Sequence, residues 1–402
     1  MERKDALLAS LRNQIRHIYK IDFYKNKLKE AGINPEDIKT MDDFKKIPFT
    51  DFKEFEKEIF ENNPPFGSFF DKKVTRVNFT PSNKGLMPVL NTKKDLLLMN
   101  KANAMSYLKA GLEKGDVLLN TISCHVFAGG LQIHEAVETH GAKIISVGPG
   151  ETERTLEIIR RFNVNALYTN PSFSMKLAEM GMKGIKILFA GGEPFSSVKG
   201  YKNKVRDALG KRTFLIDAYA LSHSMPTGRE CRLENGIHII EDLVFAEIID
   251  PQTGEVLPDG QRGEIVITQL YKEAMPLFRF RTGDLSLMEH VKCECGYEAT
   301  LPKGVFGRVD NMVKIKGVKV YPSQIGYVLK SYENLKESPF RLIISKKESG
   351  GDHFVLAIKS RLTGDADNLK RHFKETLLIQ VDDLKFVENL TEGPMIEDNR
   401  WQ

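Results

Sequence analysis

The stretch that decides the fold is Phe278–Ile325, which reads FRFRTGDLSLMEHVKCECGYEATLPKGVFGRVDNMVKIKGVKVYPSQI. An apolar run ends there in a glycine turn that carries Asp284. A carboxylate at such a turn can accept hydrogen bonds from both hydroxyls of a ribose. Arg308, close before Asp310, can hold a second acceptor, and the chain that follows is long enough for a small domain. Ordinary turns explain each piece alone, but all pieces in order predict a nucleotide site beside a hinge.

Composition limits the class of protein. A chain of 402 residues is too long for one compact core, so two or three domains are expected. The net charge of +5 is spread along the chain without a dense basic tract, which argues against a nucleic-acid partner. No apolar run approaches the ~18 residues of a membrane span, so no membrane partner is expected. Sparse cysteines and a charged N-terminus predict a cytoplasmic protein.

Helix and strand patterns alternate between Lys93 and about Ser222, after a mostly helical lead-in over residues 1–75. Short apolar strands that alternate with helices predict an α/β fold with a doubly wound, mainly parallel sheet. The predicted helices are Asp95–Lys109, Leu131–His140, Glu153–Phe162 and Met175–Met180. The predicted strands are Val117–Ile122, Ala142–Val147, Ala166–Tyr168 and Ile185–Phe189. Residues 230–290 are typical of an antiparallel β subdomain, which completes a large domain over residues 1–309, followed by a small one over residues 310–402.

Two loops are candidates for ligand contact. A strand at Thr75–Phe79 leads into the polar loop Thr80–Gly85, whose backbone N–H groups can wrap phosphates, although surface turns look the same. Residues 191–194, Gly-Gly-Glu-Pro, directly follow an apolar strand, so their backbone can approach a flat ring closely. Ligands of doubly wound sheets bind beyond the carboxyl ends of the strands. Tyr219, at another strand end, is either a stacking platform or a core residue.

Three cysteines and one histidine form a candidate metal site. Cys293 and Cys295 are separated by one residue, and Cys231 and His238 flank a turn of the β subdomain. Three thiolates and one imidazole suit tetrahedral zinc, and free thiols are the alternative. The fourth cysteine, Cys124, is expected to be an apolar filler rather than a nucleophile.

The motifs in order resemble those of the phenylacetate–coenzyme A ligases, a branch of the adenylate-forming (acyl-CoA synthetase) superfamily. The resemblance extends from Ile47 to about residue 393. It rests on PFG at 65–67, FAGGLQIHEAVETHGA at 127–142, GPGETER at 148–154, TNPSFSMKLAE at 169–179, GGEPFS at 191–196, DAYALS at 217–222, IIDPQTGEVLPDGQRGEIVITQLYKEAMPLFRFRTGDL at 248–285 and GRVDNMVKIKGVKVYPSQI at 307–325. These motifs are specific for the fold and the family.

The resemblance implies a large adenylate-forming domain with a small C-terminal lid domain, and a two-step reaction. An aromatic or other small carboxylic acid attacks the α-phosphorus of ATP, giving an acyl-adenylate and pyrophosphate. The lid then swings about the hinge, and the thiol of coenzyme A displaces AMP. The implied cofactors are ATP or AMP, Mg²⁺ and coenzyme A, beside the Zn²⁺ expected from the cysteines. A homodimer is expected from the family.

The resemblance also implies roles for individual residues. The nucleotide is expected on Thr80, Ser82, Asn83, Gly85, Gly191, Gly192, Glu193, Pro194, Asp217, Ala218, Tyr219, Ser222, Asp284 and Arg308. The acid is expected among His125, Phe127, Ala128 and Gly129. Asp310 is the implied hinge, Lys314 and Lys316 are implied to face coenzyme A, and Lys84 and His223 are the candidate catalytic residues.

Three positions depart from the family pattern. The phosphate loop reads TPSNKGLMP, His223 stands where relatives carry a magnesium-binding glutamate, and Pro394 stands where they carry a catalytic lysine. Losing one charged donor of this kind typically costs on the order of 10²–10³ in rate. Two interpretations follow. Either the ligase is active with Arg400 or Lys84 as the surrogate cation, or the protein has altered chemistry, such as AMP transfer to a hydroxyl, use of a ready-made acyl-adenylate, or ligand binding alone.

Overall fold

The computed structural model describes residues 2–82, 85–309, 313–315, 318–320, 322–347, 352–361, 366–377, 379–391, 393 and 395–399. The chain divides into two compact units, Met1–Phe306 and Gly307–Gln402. Several residues that carry predictions lie outside the described residues, namely Asn83, Lys84, Asp310, Lys316, Pro394 and Arg400. Of Ser82, Gly85 and Lys314, only the backbone is described.

The first unit begins with short helices that pack against the β subdomain. They are α1 Glu2–Ile18, α2 Asp22–Glu30, α3 Met41–Lys45 and α4 Phe52–Lys57, with single turns at Pro35–Asp37, Glu58–Asn62 and Gly67–Phe69. Asp51 caps the start of α4, where its side chain accepts a hydrogen bond from the Glu54 backbone N–H. Buried Arg279 pairs with Glu247 and donates to the carbonyl of Ile47. These contacts attach the helical N-terminal segment to the β subdomain.

The rest of the first unit alternates helices and strands. Its helices are α5 Lys93–Lys109, α6 Ala128–His140, α7 Thr152–Arg161, α8 Pro171–Glu179 and α9 Tyr201–Leu209. Its strands are β1 Val74–Ser82, β2 Gly85–Thr92, β3 Val117–Asn120, β4 Lys143–Ser146, β5 Ala166–Thr169, β6 Ile187–Gly191, β7 Phe214–Leu221, β8 Ser224–Glu230, β9 Ile237–Ile239, β10 Val244–Ile249, β11 Gly263–Gln269, β12 Phe280–Ser286, β13 Glu289–His290 and β14 Ala299–Leu301.

The central sheet has nine strands in the order β13-β14-β9-β8-β7-β6-β5-β3-β4. Strands β4, β3, β5, β6 and β7 are parallel, and the remaining pairs are antiparallel. Strands β5 and β6 are buried along their whole length, as expected for a sheet that is covered by helices on both faces. Strands β10, β11 and β12 form an antiparallel sheet. The predicted α/β class with a doubly wound sheet and a β subdomain is confirmed.

Some predicted boundaries were wrong, each for a physical reason. The predicted loop Thr80–Gly85 is mostly the end of a hairpin, because β1 runs through Ser82 and β2 begins at its pairing partner Gly85. Helix α8 begins at Pro171 rather than at Met175, since proline is favoured at the first helical position. Helix α9 was missed, because its polar sequence buries only Val205 and Leu209.

Helix α6 begins at Ala128, earlier than the predicted Leu131, although glycine disfavours helix interiors. Gly130 explains the difference. Its N–H donates to the Ser123 carbonyl at 3.0 Å, and a Cβ placed there would lie 2.2 Å from that oxygen. Only glycine therefore allows the helix to start so close to the preceding loop.

The second unit is a small α+β domain with its own core. Its elements are β15 Gly307–Arg308, β16 Val313–Ile315, β17 Val318–Val320, α10 Pro322–Lys330, β18 Phe340–Lys346, β19 Asp352–Lys359, α11 Ala366–Leu377, β20 Asp383–Val387 and β21 Ile396–Asp398. Strands β16 and β17 form a hairpin, and four strands form a sheet in the order β20-β19-β18-β21. The core includes Ile325, Leu342, Phe354 and Phe373. In the described part of the chain, no helix is long and apolar enough to cross a membrane.

Candidate active site

The carboxyl ends of β6 and β7 bring two predicted nucleotide motifs together. Ala190 pairs with Asp217, and Gly191 pairs with Ala218. A Cβ on Gly191 would lie 3.3 Å from the Tyr168 hydroxyl and 3.4 Å from the Ala218 carbonyl oxygen. A side chain at this position would therefore press on both neighbours, whereas glycine lets the backbone pass them closely.

The loop after β6 is fixed by polar contacts to the start of α8. Glu193 accepts from the Ser172 hydroxyl at 2.7 Å and from the Ser172 backbone N–H at 3.1 Å. The Asn170 side chain donates to the Gly191 carbonyl at 3.1 Å. These contacts attach the Gly191–Pro194 loop to the first turn of α8.

Asp217 lies under this loop and is only 4% exposed. Its carboxylate accepts from the Ser196 backbone N–H at 2.9 Å, and its own N–H donates to Glu230 at 2.7 Å. Burial raises the pKa of Asp217, while the hydrogen bonds from Ser196 and the charge of Lys202 act in the opposite direction. Burial likewise raises the pKa of Glu230 to about 7. Asp217, Glu230 and the Ser196 backbone N–H therefore form a hydrogen-bonded network beneath the loop.

Tyr219 and Asp284 meet, although they are far apart in the sequence. The Tyr219 hydroxyl donates to an Asp284 carboxylate oxygen at 2.7 Å, and both side chains are buried. The predicted glycine turn is instead a bulge inside β12: Gly283 has a φ of 74°, the pairing with β11 shifts register between Arg281 and Leu285, and the Asp284 N–H donates to the Thr282 hydroxyl at 3.0 Å. Tyr219 also packs against the largest apolar cluster. The predicted base-stacking and ribose-binding residues thus share one hydrogen bond.

The turn between β7 and β8 is tied to the hairpin of β1 and β2. The Ser222 hydroxyl donates to the Thr80 hydroxyl at 3.0 Å. The Nε2 atom of buried His223 lies 3.3 Å from the Pro88 carbonyl, which can only accept, so Nε2 carries a proton. Burial lowers the pKa of His223 to about 4. A neutral imidazole in this position does not fit Mg²⁺, which prefers oxygen ligands.

We expect His223 to make the protein less stable in acid. The unfolded chain takes up a proton near pH 6.5, but the folded chain does so only near pH 4. Between these values the unfolded state binds more protons, so stability rises with pH, and it is lost as the pH falls through the window. Between pH 7 and pH 4.5 the free energy of unfolding should fall by on the order of 2 kcal/mol more in the wild type than in H223Q, in which the other titrating groups remain. Equal drops in both proteins would contradict this assignment.

The predicted acyl residues lie next to the hairpin. The Phe79 backbone N–H donates to the Val126 carbonyl at 2.9 Å, and Phe127 is 37% exposed. A Cβ on Gly129 would lie 3.3 Å from Ile122 and 3.6 Å from Met225. Beside the β7–β8 turn, the segment therefore presents the ring of Phe127 and the bare backbone of Gly129. Of the other two predicted acyl residues, His125 is exposed and Ala128 is buried.

The four predicted metal ligands come together. The ligand atoms of Cys231, His238, Cys293 and Cys295 all lie within 4.8 Å of one another. The buried Nε2 of His238 has no hydrogen-bond partner among the described residues, while its Nδ1 is 2.8 Å from the Thr300 hydroxyl. This pattern, with one ring nitrogen oriented by a hydroxyl and the other facing three sulfur atoms, fits a tetrahedral metal ion.

The sulfur atoms also receive donors from the protein. The Leu233 backbone N–H lies 3.5 Å from the Cys231 sulfur, and the Asn235 amide lies 3.5 Å from the Cys293 sulfur. Donors of this kind stabilise thiolates, the form of cysteine that binds metals.

Two predicted residues belong to the second unit. Arg308 lies on β15 and is exposed, and Lys314 lies on β16. Their roles remain predictions. Asn170, Ser172, Ser196 and Glu230 were missed by sequence reasoning. The first two had a signal, an Asn-Pro-Ser start of a helix, whereas Glu230 reaches Asp217 from a neighbouring strand without a local motif.

Comparisons with known proteins agree with this geometry. A family model described as AMP-binding enzyme matches residues 92–271. The phenylacetate–coenzyme A ligase of Thermus thermophilus is 33% identical over 364 residues, which cover 87% of this chain and 79% of that protein. The Pseudomonas putida enzyme of the same name is 33% identical over 345 residues, covering 82% and 76%. An open conformation of 2-hydroxyisobutyryl-CoA ligase, crystallised with 2-HIB-AMP and CoA, is similar with a TM-score of 0.80 at 24% identity, covering 99% and 92% of the two chains.

These findings, with glycine, aspartate and tyrosine gathered at the carboxyl ends of β6 and β7, establish the family. The chain belongs to the phenylacetate–coenzyme A ligase family of AMP-binding enzymes.

Proposed function

We propose that this protein is an ATP-dependent, AMP-forming ligase that activates an aromatic or other small carboxylic acid and transfers it to coenzyme A. The observation that carries the proposal is the meeting of Gly191, Asp217, Tyr219 and Asp284 around one end of the central sheet. Glycine backbone, an aromatic ring and a carboxylate are the groups that a nucleoside needs for its base and its ribose. Membership of the ligase family supports the same activity.

The nucleotide is held by residues of the first unit. The backbone of Gly191–Pro194 lies along the adenine, whose face Tyr219 covers. The ribose hydroxyls donate to Asp284, which Tyr219 orients through its 2.7 Å hydrogen bond. Thr80 and Ser222, joined by their hydroxyls, face the phosphates together with Ser82, Asn83 and Gly85. Positioning of this kind is the main contribution that proteins make to phosphoryl chemistry.

The acid and coenzyme A use other parts of the chain. The acid lies among His125, Phe127, Ala128 and Gly129, beside the exposed ring of Phe127. Lys314 and Lys316 bind the phosphates of coenzyme A after rotation at Asp310. Lys84 supplies the cation at the reacting phosphates.

Magnesium enters with the ATP phosphates, because His223 does not fit it as a ligand. The ring of His223 is buried and uses Nε2 to donate to Pro88. This observation favours a second candidate function, in which the nucleotide site is kept but the chemistry differs: AMP transfer to a hydroxyl, use of a ready-made acyl-adenylate, or ligand binding alone.

A structural zinc ion is proposed at Cys231, His238, Cys293 and Cys295. The unpartnered Nε2 of His238, facing three sulfur atoms, supports it. Four protein ligands would close the site, so its role is to link β9 to the segment after β13 rather than to activate water.

Pyrophosphate exchange tests the function. We expect labelled pyrophosphate to enter ATP in the presence of at least one acid from a panel that includes phenylacetate and benzoate. Thioester should form only when coenzyme A is added. If no acid of the panel supports exchange, although the protein still binds AMP saturably, the ligase proposal is rejected and the second candidate function is favoured.

A cytoplasmic location and a homodimer complete the proposal. Sparse cysteines, three of which lie in the candidate zinc site, suit a reducing compartment. Light scattering in solution tests the dimer, and a monomer at micromolar concentration would contradict it.

A further inference from the structure

Two ion pairs connect helix α9 to the end of strand β8 and the turn that follows it. Lys202 and Arg206 stand one helical turn apart on α9, and they pair with Glu230 and Glu234 respectively. Each glutamate also accepts a hydrogen bond from the backbone of β7. Glu230 accepts from the Asp217 N–H at 2.7 Å, and Glu234 accepts from the Leu215 N–H at 3.0 Å. Each set of contacts runs from a basic residue of α9 through a glutamate to the backbone of β7. We call them the Lys202 rung, with Glu230 and Asp217, and the Arg206 rung, with Glu234 and Leu215.

The two rungs end in different surroundings. The Lys202 rung ends at Asp217, which pairs with Ala190 at the end of β6 and holds the Ser196 N–H. The Arg206 rung ends at Leu215, which is a member of an apolar core cluster and lies near the amino end of β7. Only the first rung is therefore next to the proposed adenine loop.

The Lys202 rung also compensates buried negative charge. Glu230 and Asp217 are 2% and 4% exposed, and buried carboxylates are costly unless a cation is near. Lys202 is the partner of Glu230, and its charge also favours the ionised form of Asp217. Without Lys202, the negative charges of Glu230 and Asp217 would be less well neutralised.

We propose that Lys202 and Glu230 are a positioning pair for nucleotide binding. They fix Asp217 beside Gly191, so that its carboxylate accepts a hydrogen bond from the 6-amino group of adenine. The inference rests on the proposed adenine site, and it adds residues that touch Asp217 rather than the ligand. It also predicts selectivity, because a hypoxanthine base presents a carbonyl at the same position and repels a carboxylate.

The second rung supplies a matched control. Binding of AMP and IMP is titrated by calorimetry with the full-length wild type, K202M and R206M, and each melting temperature is recorded. We expect K202M to weaken AMP binding about tenfold and to reduce the preference for AMP over IMP. R206M should change AMP affinity and the preference for AMP over IMP by no more than about twofold, even if its melting temperature falls as far as that of K202M. K202R, which keeps the charge, should restore binding.

The isosteric pair E230Q and E234Q keeps the test decisive if K202M does not fold. E230Q should weaken AMP binding, and E234Q should not. Equal effects of the two rungs on AMP binding, or an unchanged AMP preference in K202M and E230Q, would overturn the proposal. A wild-type protein that binds no AMP would overturn it together with the adenine site, whereas failure of pyrophosphate exchange alone would leave the positioning pair in place.

Discussion

Replacing Asp284 by alanine is expected to lower AMP affinity and the rate of thioester formation by at least about a hundredfold. A ribose offers two hydroxyls to one carboxylate, and a hydrogen bond to a charged group contributes about 1.5–3 kcal/mol. Two such bonds correspond to roughly 10²–10⁴ in affinity. The substitution also removes the acceptor of the Tyr219 hydroxyl, which then lies buried without that partner.

Two control variants separate these effects. Y219F keeps the ring but removes the hydroxyl, so it should cost about tenfold or less. D284N keeps the shape and removes the charge, and it should fall between Y219F and D284A. The measurements are AMP titration and thioester formation at saturating coenzyme A. A D284A protein within tenfold of the wild type in both assays would show that the ribose binds elsewhere.

Replacing Cys293 by serine is expected to abolish binding of the proposed zinc ion and to lower the free energy of unfolding by about 3–5 kcal/mol. Loss of a structural metal belongs to the small group of changes that destabilise proteins this strongly, because the binding energy is part of the folding energy. It would also leave the His238 Nε2 atom buried without a partner. Elemental analysis and chemical unfolding measure the two effects.

C124S is the matched control, because Cys124 is not a member of the metal-ligand set. Its zinc content should equal that of the wild type, and its stability should change little. Less than half an equivalent of zinc in untagged wild-type protein would reject the site. Unchanged stability of C293S would show that the metal, if bound, does not support the fold.

The sequence predicted the elements that have a local signal. Strand β6 and the glycine turn after it were predictable, because four apolar residues directly precede Gly191 and Gly192. The clustering of Cys231, His238, Cys293 and Cys295 was predictable because the chain has only four cysteines, which leaves few ways to group them. Helix α9 was not, since only two of its residues are buried and its polar face resembles a loop.

Contacts between distant residues could not be predicted in this way. The hydrogen bond of Tyr219 to Asp284 depends on the approach of β7 and β12, which belong to different sheets. His223 finds the Pro88 carbonyl across 135 positions, and no pattern near either residue indicates the pairing. The lysine and glutamate behind Asp217 likewise come from α9 and β8, and the sequence does not show that these elements meet.

Gly130 sets a limit for redesign of acid selectivity. Because any side chain there would collide with the Ser123 carbonyl, α6 keeps one starting point for as long as this glycine is present. A library over Phe127 and Met225 can then reshape the surface next to that starting point. Gly129 offers less freedom, because a Cβ there would lie 3.3 Å from Ile122, and any residue other than glycine at position 130 would displace the start of the helix.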